Sequence, residues 1–148
     1  MIKNHTNLVH AEKFIRMKLE QYDTSKLKLH LKYTKSRTNS YDGYCRYKDF
    51  YTVAAINEEL LKLRLPFEMI WAIGTEQVTE QIYNFIEDSE EVTTFDEVMV
   101  WIAAHELWHF LCKTKQEKYN YQTRANKFGF LWLREFKLWM KERSQDED

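Results

Sequence analysis

Two histidines and a glutamate stand at a spacing that could do chemistry, in the stretch His105-Glu106-Leu107-Trp108-His109. On a helix, residues four apart lie one above the other, so His105 and His109 would present both imidazoles to one side, where a single zinc ion could bridge them. Glu106 is turned about 100° from His105 around the axis, near enough to reach a water on such an ion without being a ligand. The spacing points to hydrolysis by metal-activated water, with Glu106 as general base. A catalytic zinc takes three protein ligands and a water, and no histidine follows His109. The third ligand is therefore another residue type, or it comes from upstream.

Thr94-Phe95-Asp96-Glu97 forms a capping box, in which the Thr94 hydroxyl and the Glu97 carboxylate satisfy each other's free backbone donors. It predicts a helix start just ahead of the motif. The inner stripe then runs Val98, Ile102, His105, His109, Cys112, which aims both imidazoles at the core. Cys112 could supply a thiolate, but a buried inert thiol is the simpler reading. The polar segment Lys113 to Asn120 reads as a connection to a last helix, in which Gln122, Ala125, Asn126, Gly129, Trp132, Leu133, Phe136, Trp139 and Met140 keep a three-four spacing. The small residues Ala125 and Gly129 would let that helix approach the motif helix closely.

Upstream, Leu8 to Tyr22 has the spacing of an amphipathic helix. Leu27, Leu29, Leu31 and Tyr33 alternate with polar residues as in a half-buried strand. Asp42-Gly43 is a turn signal, with Tyr44 to Tyr47 and Phe50 to Ile56 as further strands. Asn57 caps a short helix ending before Pro66. Phe67 to Ile73 reads as a more buried strand closed by Gly74, Thr75 as the cap of a helix lined by Val78, Ile82, Phe85 and Ile86, and Glu87 to Glu91 as a solvated loop. The whole is an α+β chain of 3–4 strands and several helices, one domain over residues 1–143 with an acidic, frayed tail at 144–148.

With 148 residues, 44% of them hydrophobic, the chain can bury a core and is not a disordered segment. A net charge of -1 gives no global attraction to nucleic acid or membrane. No apolar run approaches the roughly 18 residues of a membrane span. Two cysteines, Cys45 and Cys112, and a polar N-terminus without a signal-like apolar stretch predict a reduced, cytoplasmic protein. Charge is nevertheless uneven. Seven bases and one acid lie between Lys26 and Lys48, while Glu87 to Glu97 holds six acids and no base.

The motif and its surroundings resemble the zincin metallopeptidases, and among them the small intracellular SprT-like and ImmA/IrrE-like types, which place a helix and a short set of strands ahead of H-E-x-x-H. In the gluzincin branch a second helix carries E-x-x-A-D or E-x-x-A-N followed by an aromatic, and its glutamate is the third ligand. Gln122-Thr123-Arg124-Ala125-Asn126-Lys127-Phe128 matches at Ala125, Asn126 and Phe128 and departs at Gln122, which stands where that glutamate would be. The likeness extends in element order over roughly Leu27 to Met140 and is specific only at the two motifs. It implies a small sheet packed on the motif helix and a long C-terminal helix, a bound zinc ion, a protein or peptide substrate, and an extended substrate lying along an edge strand, either Phe67 to Ile73 or Phe50 to Ile56.

A neutral amide oxygen is a poorer zinc donor than a carboxylate, because it lacks the charge that offsets desolvating the dication. Family register supports Gln122 as third ligand, whereas charge supports Glu117, and both stay open. A metal-poor relic is the remaining outcome. Asn126, one turn after Gln122, could hold a ligand imidazole through its other nitrogen. Tyr119 and Tyr121 could donate to the oxyanion of a tetrahedral intermediate. The rival reading is a zincin scaffold without turnover that binds a protein or nucleic-acid partner. Nucleic acid is the less favoured of these, and would stack on Tyr33, Tyr41, Tyr44, Tyr47 and Tyr51.

Overall fold

The computed structural model describes residues 1–146. It is an α+β fold of four helices and six strands in two sheets. The chain runs β1 (Ile2–Asn4), α1 (Val9–Leu19), β2 (Lys28–Tyr33), β3 (Tyr41–Arg46), β4 (Tyr51–Ile56), α2 (Glu58–Arg64), β5 (Phe67–Gln77), β6 (Tyr83–Val92), α3 (Phe95–Lys113) and α4 (Gln122–Asp146). The first sheet has the order β1-β2-β4-β3, with β1, β2 and β4 parallel and β3 antiparallel to β4. The second is the β5–β6 hairpin.

The core lies between the first sheet and the helices. Leu29 and Leu31 of β2 and Ala54 and Ile56 of β4 turn inward, where they meet Phe14 and Ile15 of α1 and a band of α3. Thirteen residues of α3 are buried, Val98 to Ala104 among them without a break, so it is a central helix enclosed on nearly every side. Its start is the predicted capping box, with Glu97 N donating to Thr94 Oγ1 at 3.2 Å and Thr94 N donating to Glu97 Oε1 at 3.0 Å. α4 packs across it through the small residues. A Cβ added at Gly129 would lie 2.8 Å from the Trp101 ring, and Ala125, Trp132, Leu133 and Phe136 are buried.

Several local expectations are overturned. Asp42-Gly43 is not a turn but lies inside β3, with Gly43 opposite Ala54. Glycine is required there by proximity, since a Cβ would fall 2.8 Å from Ile102 Cγ2, 2.9 Å from Glu106 Cγ and 2.9 Å from the Val53 carbonyl oxygen. Gly43 is thus the hollow into which the motif helix settles. Gly43→Ala should destabilise the protein by about 1–3 kcal/mol and lower Tm by about 5 °C. Thermal unfolding at an unchanged temperature would refute that account of the contact.

The segment expected as a capped helix after Thr75 is the end of a β-hairpin, turning over Val78 to Ile82 through bonds between Thr79 and Ile82, and the acidic run expected as a loop is the strand β6. Its β-branched and aromatic residues favour extended chain, and Asp88 and Glu90 are held by Arg134 and Lys137 of α4, partners more than forty residues away in sequence. For the same reason Phe67 to Ile73 is not a more buried strand, since only Met69 of that stretch is buried. The stretch expected as a frayed tail from Ser144 is helical as far as Asp146, and Glu147 and Asp148 fall outside the described residues. Among the described residues no helix is long and apolar enough to cross a membrane.

Candidate metal centre

α3 places its motif as its spacing requires. One ligand-capable atom from each of His105, Glu106 and His109 lies within 4.8 Å of the others, close enough to hold a metal ion. The two imidazoles stand at 73° with centroids 5.2 Å apart, and His105 also lies against the Trp101 ring at 5.3 Å.

His109 has a tight set of neighbours. Its Nδ1 is 2.6 Å from Asn120 Oδ1, and the Asn120 amide nitrogen donates to the Tyr47 hydroxyl at 3.3 Å. With Nδ1 donating to Asn120 Oδ1, Nε2 carries a bare lone pair. That lone pair faces Gln122 Oε1, another acceptor, at 3.2 Å. Two acceptors do not attract at this separation. The conflict is relieved by a second proton on the ring, by a reversed Gln122 amide, or by a cation between the two atoms. The distance itself suits the cation, because two tetrahedral zinc ligands with bonds of about 2.0–2.1 Å stand about 3.4 Å apart.

His105 supplies a further donor. Burial, followed by the neighbouring His109, pushes its pKa down to about 4, against opposing hydrogen bonds from Asn126 and Gln122. It is neutral at pH 7 and has no proton to give up before binding a cation. Its Nδ1 is buried without a hydrogen-bond partner, an unsatisfied group of the kind that a bound ligand relieves. Asn126 is anchored by Nδ2 donating to the Ala72 carbonyl at 2.8 Å and lines the cleft with His105, but it does not bond the buried His105 Nδ1. The residues present fit a divalent cation.

Glu106 is buried at 5% exposure. Burial, and secondarily the Asp42 carboxylate, raise its pKa to about 7, poised near neutrality as a proton acceptor should be. It lines a cleft of about 650 Å³ together with Tyr41 of β3, Arg64, Trp71 of β5 and His105. The Tyr41 hydroxyl accepts from Trp71 Nε1 at 3.1 Å, bridging the two sides of the cleft, and burial holds its pKa above the ordinary tyrosine value.

The remaining candidates are dispersed. Glu117 sits beside Tyr22 and Cys112, whose pKa values are raised by burial and then by its charge, and lines a separate hollow. It is not in the His105, Glu106 and His109 group, whereas Gln122 Oε1 lies 3.2 Å from His109 Nε2. Cys112 is pushed up to about 11 by burial and by Glu117, so it stays a thiol and offers no thiolate. Tyr119 and Tyr121 are exposed and stacked on each other, and neither lines the cleft. Tyr41 is the phenol that does. Phe50 to Ile56 holds the interior strand β4, hydrogen-bonded on both sides, and β3 has the free edge at the cleft. Residues 38–40 precede β3 and share the wall.

The five tyrosines considered for base stacking are committed separately. Tyr33 bonds Asn7, Tyr41 lines the cleft, Tyr47 bonds Asn120, and only Tyr44 and Tyr51 stack together, beneath Arg46. Sequence reasoning missed Asn120, Tyr41, Asp42, Arg64 and Trp71. Their only local signal was polarity or aromaticity, and their role depends on chain returns that no short-range spacing shows. Compared with protein-family models, with curated proteins and with solved structures, the chain matches none, so the chemical assignment of this centre rests on its own side chains.

Proposed function

We propose that the protein is a zinc-dependent peptidase, with His105, His109 and Gln122 as ligands and Glu106 as general base. The observation that carries this reading is the pair of opposed acceptors, His109 Nε2 and Gln122 Oε1 at 3.2 Å, one helical turn from a neutral His105 and beside a buried carboxyl at the floor of a cleft. Zinc at that point supplies Lewis acidity, which lowers the pKa of water toward neutrality.

The chain's own residues do the rest. A Glu106 carboxylate oxygen takes the proton of the attacking water and delivers it to the leaving amine nitrogen. Asn120 bonds His109 Nδ1 and orients that ring, and Asn126, tied to the Ala72 carbonyl, stands beside His105 in the cleft wall. Tyr41 keeps its phenolic proton and is the hydroxyl available to the oxyanion. An extended peptide pairs with the free edge of β3, which brings its backbone across the Glu106 carboxyl.

Protein purified without added metal should contain stoichiometric zinc and cleave unfolded casein, and a chelator should remove both properties until zinc is returned. Metal-free protein with no chelator-sensitive cleavage would reject the reading. Gln122 itself favours a second one. A neutral amide at the third position weakens the ion's hold, which suits a scaffold that binds a polypeptide without turnover. Zinc retained without cleavage would select it.

A further inference from the structure

The β5–β6 hairpin carries more apolar surface than a strand pair at the edge of a fold needs. Its base is clamped to the body. Arg134 holds Asp88 at 2.7 Å and Glu90 at 2.9 Å, Lys137 holds Glu90 at 2.9 Å, and Asn126 holds the Ala72 carbonyl. Beyond the irregularity between Ala72 and Gly74, the hydrogen bonds of the described residues stay within the hairpin. This outer half exposes Val78, Ile82, Tyr83, Phe85 and Ile86, with Phe85 at 68% and Tyr83 at 61%. Strand alternation puts Tyr83 and Phe85 on one face and Ile86 on the other. Two strands alone hold such a ribbon poorly in water, and clustered exposed apolar groups mark a contact surface.

Charge identifies the kind of partner. Residues 67–92 contain seven acids and no Lys, Arg or His. Asp88 and Glu90 are neutralised by α4, while among the described residues Glu68, Glu76, Glu80, Glu87 and Glu91 have no ion-pair partner. Two such arms meeting symmetrically would bring like charges together, which disfavours a second copy on this surface. The hairpin is also continuous with the cleft, because Trp71 on β5 is both a cleft wall and the residue bonded to Tyr41. The cleft adds the Asp42 and Glu106 carboxyl groups beside it.

From this juxtaposition we propose that the outer half of the β5–β6 hairpin is a docking arm for a cationic, apolar-rich polypeptide segment, which it feeds toward the cleft. The arm selects unfolded or extended chain, because its unpaired strand edges accept backbone hydrogen bonds and its exposed apolar side chains are interspersed with glutamates. The proposal rests on the reading of the cleft as a polypeptide site, and its test does not depend on turnover.

Fluorescence anisotropy with Glu106→Gln protein, with and without zinc, measures binding of a labelled peptide that alternates valine with lysine or serine. Binding should weaken with added salt, fail when glutamate replaces the peptide's lysines, and fall about tenfold in the Phe85→Ser/Tyr83→Ser variant and in the Glu76→Lys/Glu87→Lys variant. These positions are exposed, so Tm should be unaffected. Binding that ignores both variants overturns the arm and leaves the zinc reading standing, whereas arm-dependent binding by protein that takes up no zinc supports the arm and rejects the zinc reading. Sedimentation of the protein as a dimer that Phe85→Ser converts to monomer would assign the surface to a second copy and overturn the proposal.

Discussion

Glu106→Gln should leave zinc bound while casein cleavage falls by about 10³-fold or more, because the change removes a proton acceptor and leaves the proposed ligands His105, His109 and Gln122 in place. Metal analysis and a cleavage assay on the same preparation check it, and cleavage near the native rate would remove Glu106 from the role of base. The same substitution has a second consequence in metal-free protein. The Glu106 carboxyl has its pKa raised from 4.5 to about 7 by burial and by Asp42. Its contribution to stability is full below pH 4.5 and is lost as pH rises through about 7, since the unfolded chain releases that proton earlier. The displacement corresponds to about 3 kcal/mol. Glutamine does not titrate, so metal-free Glu106→Gln should gain about that much relative to the native chain between pH 4.5 and pH 8, as measured by urea unfolding. His105 acts oppositely, its depressed pKa costing stability as pH falls from 6.5 toward 4, but it does so in both proteins and cancels from the comparison. A constant difference across that range would show that Glu106 ionises normally.

Gln122→Glu should tighten zinc binding by about a hundredfold, or about 3 kcal/mol, because a carboxylate at this position adds charge where the amide oxygen already stands 3.2 Å from His109 Nε2. Competition with a fluorescent zinc chelator measures it. If the native chain retains zinc only weakly and the substituted chain holds it firmly, the amide is what tunes the centre. Equal affinities would mean that Gln122 is not at the ion, and the opposed acceptors would then be explained by a reversed amide.

How much of this was legible in the sequence follows from the range of the interactions involved. The capping box, the motif helix and the inward turn of its histidines depend on contacts within about one helical turn, and their spacing displays them. The C-terminal helix and its small residues were readable for the same reason, down to the close approach at Gly129. Gly43 was visible as a glycine but not as a packing hollow, because the atoms that forbid a side chain there come from Ile102 and Glu106, distant in sequence. The hairpin was misread as helix and loop because Val78, Ile82, Phe85 and Ile86 also satisfy a helical period, and because the acids of β6 look solvated until Arg134 and Lys137 arrive from α4. Asn120 belongs to the same class. Nothing local distinguishes it from other polar connection residues, yet it stands 2.6 Å from Nδ1 of His109.

The order in which the chain is made gives the placement of Gln122 at the head of α4 a further meaning. Synthesis delivers the sheet, the hairpin and both imidazoles of α3 before the amide that faces His109, and the helix that packs over His105 and Trp101 comes last. On the proposed ligand set, a chain without its final helix would offer an ion two imidazoles and no amide, and only docking of α4 would bring Gln122 to His109. On that reading metal acquisition and completion of the fold would be one event, and a chain that stops short of α4 would keep the motif without the amide that faces it.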